Sequence, residues 1–111
     1  MNNKVLIVDD EPDIRELLEI TLGRMELDTD TASDLGEARA LLAGSDFQLC
    51  LTDMKLPDGN GIELVREIQN KYPHMPVAVI TAHGSTETAI TALKSGAFDF
   101  VSKPVDIRKL R

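Results

Sequence analysis

Four short apolar runs in this chain each end on a reactive side chain. Val5-Leu6-Ile7-Val8 leads into Asp9-Asp10-Glu11, and Leu49-Cys50-Leu51-Thr52 leads into Asp53. Val77-Ala78-Val79-Ile80 leads into Thr81, and Phe98-Asp99-Phe100-Val101-Ser102 leads into Lys103-Pro104. Strands of a parallel sheet covered on both faces read as continuous apolar runs rather than alternating ones. Ligands of open α/β sheets sit beyond the carboxyl ends of such strands, where the strand order reverses. The pattern predicts that acids, a hydroxyl and an amine, far apart in sequence, converge on one small polar site.

The segments between the runs read as helices and turns. Pro12 marks a first helical position, with Asp10 or Glu11 as the cap. Ile14, Leu17, Leu18, Leu22 and Met25 follow at helical spacing, Glu16 and Glu19 fill the opposite face, and Gly23 lies near the helix end. Leu27 to Ala32 reads as a short, more exposed strand. Asp34 with Glu37 three residues on predicts a capping box. It opens a helix carrying Leu35, Ala38, Leu41 and Leu42, which Gly44 ends. Leu56-Pro57-Asp58-Gly59-Asn60-Gly61 is turn chemistry. A helix on Ile62, Leu64, Val65 and Ile68 follows, stopped by Pro73. After Thr81, His83-Gly84-Ser85 reads as a loop, with Ser85 as the cap of a helix on Ala89, Ile90, Leu93 and Ala97 that breaks at Gly96. Strands alternating with helices predict an α/β fold, a doubly wound five-stranded parallel sheet with helices on both faces.

A chain of 111 residues suffices for one domain with a single core. Asp106 to Arg111 reads as the first turns of a helix that has barely begun. The chain is therefore expected to be an N-terminal domain, residues 1–111, of a longer protein. On that reading the face beside the first helix is partly bare and prone to self-association. The net charge of −7 repels nucleic-acid phosphates and anionic membranes, so this segment is not expected to bind either. Cys50 is the single cysteine and forms no internal disulfide. Between Leu49 and Leu51 it reads as a buried small hydrophobe, in keeping with a reducing compartment. No apolar run approaches the roughly 18 residues that span a bilayer, and the first is too short for a secretion signal. The expected location is cytoplasmic.

The chemistry follows from crowding. Asp9, Asp10 and Asp53 at adjacent strand ends would raise one another's pKa unless a cation neutralises them. A hard divalent ion with oxygen ligands fits, and Mg²⁺ suits a site with two or three carboxylates that keeps waters for phosphate oxygens. His74 and His83 lack the spacing of a zinc site. Lys103 adds a cation and Thr81 a hydroxyl donor, which together with a metal make a receptor for a dianionic phosphoryl group. Asp53 stands alone at its strand end and is the candidate nucleophile, with Asp9-Asp10 as a metal clamp. Each piece alone has an ordinary explanation: a helix cap, a loop acid, a turn former, a solvated turn. Their coincidence at one end of the strands favours the chemical reading.

These residues resemble a known family. Asp9-Asp10, Asp53 with Pro57 and Gly61 after it, Thr81-Ala82 and Lys103-Pro104 are similar to the signature of response-regulator receiver domains. The resemblance covers nearly the whole chain and implies the strand order 2-1-3-4-5. It implies that Asp53 accepts a phosphoryl group from a sensor histidine kinase. Mg²⁺ would be held by Asp9 or Asp10, Asp53 and the backbone carbonyl of Lys55, one member of the Asp9-Asp10 pair acting through water. Thr81 and Lys103 would contact the phosphoryl group, and the Lys103-Pro104 bond would be cis. Phe100 matches the switch aromatic; being Phe rather than Tyr, it offers no hydroxyl, and its ordinary role would be core packing. Lys55 and His83 would border the site. The stretches Thr81-Ala82-His83-Gly84-Ser85 and Gly96-Ala97-Phe98-Asp99-Phe100 resemble the NtrC-type subfamily. Its members follow the receiver with an ATPase driving sigma-54 transcription and with a DNA-binding domain. A homodimer through the receiver is implied as well.

Three rivals remain at this level. A metal-dependent aspartyl-phosphate phosphatase usually carries a second acid two residues beyond its nucleophile, whereas Lys55 stands there. A flavin-type nucleotide binder needs a Gly-rich loop after the first strand, whereas Asp-Asp-Glu-Pro stands there. A partner-binding module independent of phosphorylation would be marked by loss of a site residue, and none is lost.

Overall fold

In the computed structural model the described residues are 4–81, 90, 93, 94, 96, 97 and 99–102. The elements, in order, are β1 (Lys4–Val8), α1 (Pro12–Arg24), β2 (Asp28–Ala32), α2 (Leu35–Gly44) and β3 (Leu49–Asp53). There follow β4 (Lys55–Leu56), β5 (Gly59–Asn60), α3 (Gly61–Lys71), β6 (Val77–Thr81) and β7 (Asp99–Ser102). The main sheet has the order β2-β1-β3-β6-β7, and every neighbouring pair is parallel. With the two-residue strands β4 and β5 set aside as a separate antiparallel hairpin, the order is 2-1-3-4-5, as the resemblance implied. The chain is thus a doubly wound α/β sheet. Its switch point lies between β1 and β3, because β1 turns one way to β2 while β3 continues the other way.

The apolar runs become the core because alternate side chains of each strand meet a different layer of helices. Leu6 and Val8 of β1 join Cys50, Val77 and Val79 beneath Leu35, Ala38, Leu42, Leu64, Val65 and Ile68 of α2 and α3. Val5 and Ile7 face the other way, with Leu51, Ala78 and Ile80, against Leu18 and Leu22 of α1. All four apolar residues of β1 are buried, and each such side chain contributes about 1.5–3 kcal/mol. The outer strand β2 is more exposed, as its polar sequence predicts. Lys4 of β1 pairs with Asp30 at its edge, at 3.0 Å. Among the described residues no helix is long and apolar enough to cross a membrane.

Local details differ from the sequence reading in instructive ways. Glu11 occupies the cap position of α1, but its side chain makes no cap hydrogen bond; instead its carboxylate joins an acid cluster. Met25 follows the last turn of α1 and is exposed, not part of the apolar stripe. The left-handed residue that ends α1 is Glu26, with φ 63°, and not a glycine. At α2, Asp34 accepts from the Glu37 N–H at 2.7 Å, as a capping box requires. The Glu37 carboxylate reaches one residue further back than expected, to the Ser33 hydroxyl at 2.7 Å and the Ser33 N–H at 3.3 Å. The hydroxyl offers a donor that the Asp34 backbone cannot match. These two bonds hold the Glu37 carboxyl below its usual range. The reciprocal box occurs instead at α3, where Asn60 accepts from the Ile62 N–H and Glu63 accepts from the Asn60 N–H, both at 2.8 Å.

Candidate metal and phosphoryl site

Strand register brings the acids together. Val8 of β1 lies opposite Thr52 of β3, so Asp9 and Asp53 follow at neighbouring strand ends. Asp53 in turn lies opposite Ile80 of β6, which sets Thr81 one residue beyond. One carboxylate oxygen from each of Asp9, Asp10, Glu11 and Asp53 lies within 4.8 Å of the others. Asp9 is fully buried and Asp53 is 6% exposed, whereas Asp10 and Glu11 face solvent. The cluster therefore has a buried floor and an open acidic rim.

The backbone around these acids is fixed at several points. The Glu11 N–H donates to Asp9 Oδ1 at 2.9 Å, folding the loop back on itself. Arg15, one turn into α1, donates from Nη1 to the Asp9 carbonyl at 2.7 Å. The Thr52 hydroxyl donates to the Asp53 carbonyl at 3.1 Å. Beyond Asp53, the Met54 N–H donates to the Ile80 carbonyl at 3.2 Å, which carries the β3–β6 ladder one step past the nucleophile candidate. The Gly61 N–H closes back on the Met54 carbonyl at 2.8 Å. Gly61 has no room for a Cβ, which would run into the Asp53 carbonyl. The first turn of α3 is thereby pressed against the strand end that carries Asp53.

Four oxygen donors, two of them on strand tips, fit a hard divalent cation and not a thiophilic one. Asp9, Asp10 and Asp53 are thus brought together as the sequence predicts, and Glu11 joins them. The sequence reading offers this fourth acid only as one of two alternative helix caps, Asp10 or Glu11, although the unbroken Asp9-Asp10-Glu11 run is a signal for it. Lys55 sits on β4, two residues past Asp53, and is exposed. Thr81 closes β6, and Phe100 of β7 lies opposite Val79. The side chains of Thr81 and Phe100 lie outside the described residues, as do Lys103, Pro104, His83, Ser85 and the segment from Asp106. A groove of about 460 Å³ lined by Phe47, Lys71, Tyr72, His74 and Met75 lies at the amino ends of β3 and β6, away from these acids.

The response regulator receiver domain family matches residues 5–111. The chain belongs to that family. This receiver is 68% identical over 108 residues to response regulator protein PilR of Pseudomonas aeruginosa, covering 97% of this chain and 24% of that protein. It is 36% identical over 103 residues to the DNA-binding transcriptional regulator NtrC of Salmonella typhimurium, covering 93% of this chain and 22% of that one. The solution structure of the beryllofluoride-activated NtrC4 receiver domain dimer superimposes with a TM-score of 0.89 at 37% identity. That match covers 96% of this chain and 88% of the other. The receiver thus spans about a quarter of the length of the curated relatives it matches. It is a receiver of the two-component type, similar to the PilR and NtrC regulators.

Proposed function

We propose that this receiver takes a phosphoryl group onto Asp53 from a phosphohistidine of a sensor kinase, using Mg²⁺, and switches the surface around β7. The observation that carries the reading is the meeting of Asp9, Asp10, Glu11 and Asp53 within 4.8 Å at the switch point of the sheet. Asp9 or Asp10, Asp53 and the Lys55 carbonyl would hold the metal, one member of the pair through water. Bound there, Mg²⁺ neutralises the acids and offsets charge on the phosphoryl oxygens.

The chain's own residues do the rest. A carboxylate oxygen of Asp53 attacks phosphorus in line with the leaving nitrogen. An O–P bond forms as the P–N bond breaks, and the imidazole nitrogen keeps the electron pair. On this reading Thr81 and Lys103 would contact the phosphoryl oxygens. Drawing Thr81 toward the phosphoryl group vacates space that Phe100 fills, which biases a two-state surface. The same reading makes this receiver the cytoplasmic input unit of a longer sigma-54-type activator. DNA binding would then belong to another domain, and the receiver would dimerise. The length and names of the PilR and NtrC relatives and the NtrC4 receiver dimer support that extension.

Incubation with Mg²⁺ and acetyl phosphate followed by intact-mass measurement tests the central step. One phosphoryl adduct is expected, lost in Asp53→Asn. Multiple turnover of varied phosphate esters would favour the phosphatase reading instead, and no adduct with full partner binding would favour a module independent of phosphorylation. Amide exchange over residues 83–103, with and without beryllofluoride, tests the switch; an unchanged pattern there removes it.

A further inference from the structure

The hairpin that follows Asp53 is tied to a helix on which no metal ligand lies. Asp58, at the tip of the β4–β5 turn, accepts from the Leu35 N–H at 2.8 Å and the Gly36 N–H at 3.0 Å. These are the first two residues of α2, whose amide groups have no partner within their own helix. The tie is a two-pronged bond spanning 23 residues of sequence. It has an apolar half as well. A Cβ on Gly59 would collide with the Leu35 side chain, so the turn is pressed directly onto the start of α2. Leu35 and Leu56 share the core beneath. The Leu35 N–H holds the Asp58 carboxyl below its usual range, which keeps both oxygens available as acceptors near neutral pH. Across the hairpin Lys55 pairs with Asn60, which is itself held by the α3 capping box.

We infer that Asp58 is a positioning residue for the metal site: by clamping the hairpin tip to the start of α2, it fixes the backbone of Lys55 beside Asp53. This rests on the functional reading above, in which the Lys55 carbonyl is a metal ligand. With the two Asp58 bonds removed, the hairpin keeps its base at Gly61 and Asn60 and the Leu56 side chain in the core, but its tip is no longer bonded to α2 and the Lys55 carbonyl gains freedom to move. A ligand that wanders holds a metal less well, even though no donor atom has been removed.

Asp34 supplies the control. It caps the same end of α2 and carries the same charge, but its hydrogen bond runs to the Glu37 N–H of α2 itself and does not join α2 to the hairpin. Loss of either residue weakens the α2 terminus and removes one negative charge, so any difference between the variants isolates the clamp. Mg²⁺ affinity is read by calorimetric titration of the unphosphorylated wild type, Asp58→Ala and Asp34→Ala. Asp58→Ala is expected to bind Mg²⁺ about 10-fold more weakly than Asp34→Ala, the scale seen when supports of metal ligands are removed. Amide relaxation is expected to show new motion at Lys55 and Leu56 in Asp58→Ala alone. Asp58→Asn keeps the shape and one acceptor oxygen; it is expected to lie between, and it carries the test should Asp58→Ala fail to fold. Equal Mg²⁺ affinity in the Asp58 variants and Asp34→Ala overturns the clamp while leaving the proposed function intact. A wild type that binds no Mg²⁺ overturns both.

Discussion

The carbonyl of Asp53 and the Cα of Gly61 lie in direct contact, with no room between them for a methyl group. Any side chain at position 61 must move either the start of α3 or the end of β3. The Gly61 N–H to Met54 carbonyl bond at 2.8 Å resists both. Gly61→Ala is therefore expected to cost about 1–3 kcal/mol, the range for forcing atoms into a packed interior. It should also slow adduct formation at Asp53, because the strand end that aims the carboxylate is displaced. Urea unfolding and the acetyl phosphate mass assay check the two effects separately. Wild-type stability in Gly61→Ala would show that the contact relaxes freely.

The acid cluster sets stability against metal binding. Without a cation, Asp9, Asp10, Glu11 and Asp53 repel one another at close range. Asp10 is exposed, so its replacement leaves the buried floor of the site in place. Asp10→Asn is expected to raise the urea midpoint in EDTA and to lose most of the stabilisation that Mg²⁺ gives the wild type. Stabilisation by a ligand follows the ratio of its concentration to Kd, so a magnesium series at fixed urea reads both quantities. A variant as unstable as the wild type in EDTA would place the repulsion elsewhere.

Cys50 lies in the middle of β3, and burial pushes its thiol up to about 12 from an ordinary 9.0. The thiolate is the reactive form, so the folded protein should resist iodoacetamide at pH 8 and label only when unfolded by urea. The sign of the linkage is fixed. Between pH 9.0 and about 12 the unfolded chain releases the thiol proton while the folded chain keeps it. This contribution to stability is complete below pH 9.0 and is lost as pH rises through that window. Cys50→Ala should flatten that alkaline loss. Native labelling at the rate of a free cysteine would contradict the burial.

What could be read from the sequence divides along physical lines. A strand buried on both faces must be apolar throughout, so β1, β3 and β6 stand out as runs, and the acids at their ends are visible as the places where the runs stop. The convergence of Asp9, Asp10 and Asp53 follows from topology alone. Contacts set by tertiary proximity left no such mark. Asp58 looks like an ordinary turn residue until the fold carries it to Leu35. Arg15 looks like the polar face of a helix until α1 packs and brings it to the Asp9 carbonyl. Glu37 follows a sequence pattern, but a neighbouring hydroxyl on Ser33 redirects its carboxylate.

The end of α1 offers the last case, a local rule broken at small cost. The Leu27 N–H bonds the Leu22 carbonyl at 3.1 Å and the Glu26 N–H bonds the Gly23 carbonyl at 3.0 Å. Leu22 and Leu27 pack in the same apolar cluster. This is the Schellman arrangement, which places a left-handed residue between the two, ordinarily glycine. Glu26 holds that place with φ 63° and faces solvent. A side chain in that conformation costs roughly 1–2 kcal/mol, part of which glycine gives back through the entropy of the unfolded chain. Glu26→Gly is therefore expected to stabilise the receiver by about 0.5–1 kcal/mol. Glu26→Val should destabilise it, because a β-branched residue tolerates the left-handed region least. Because Glu26 lies outside the acid cluster, Mg²⁺ affinity should be the same in both variants. Urea unfolding of the pair measures the backbone effect, and equal stabilities would mean that the turn adopts another conformation in solution.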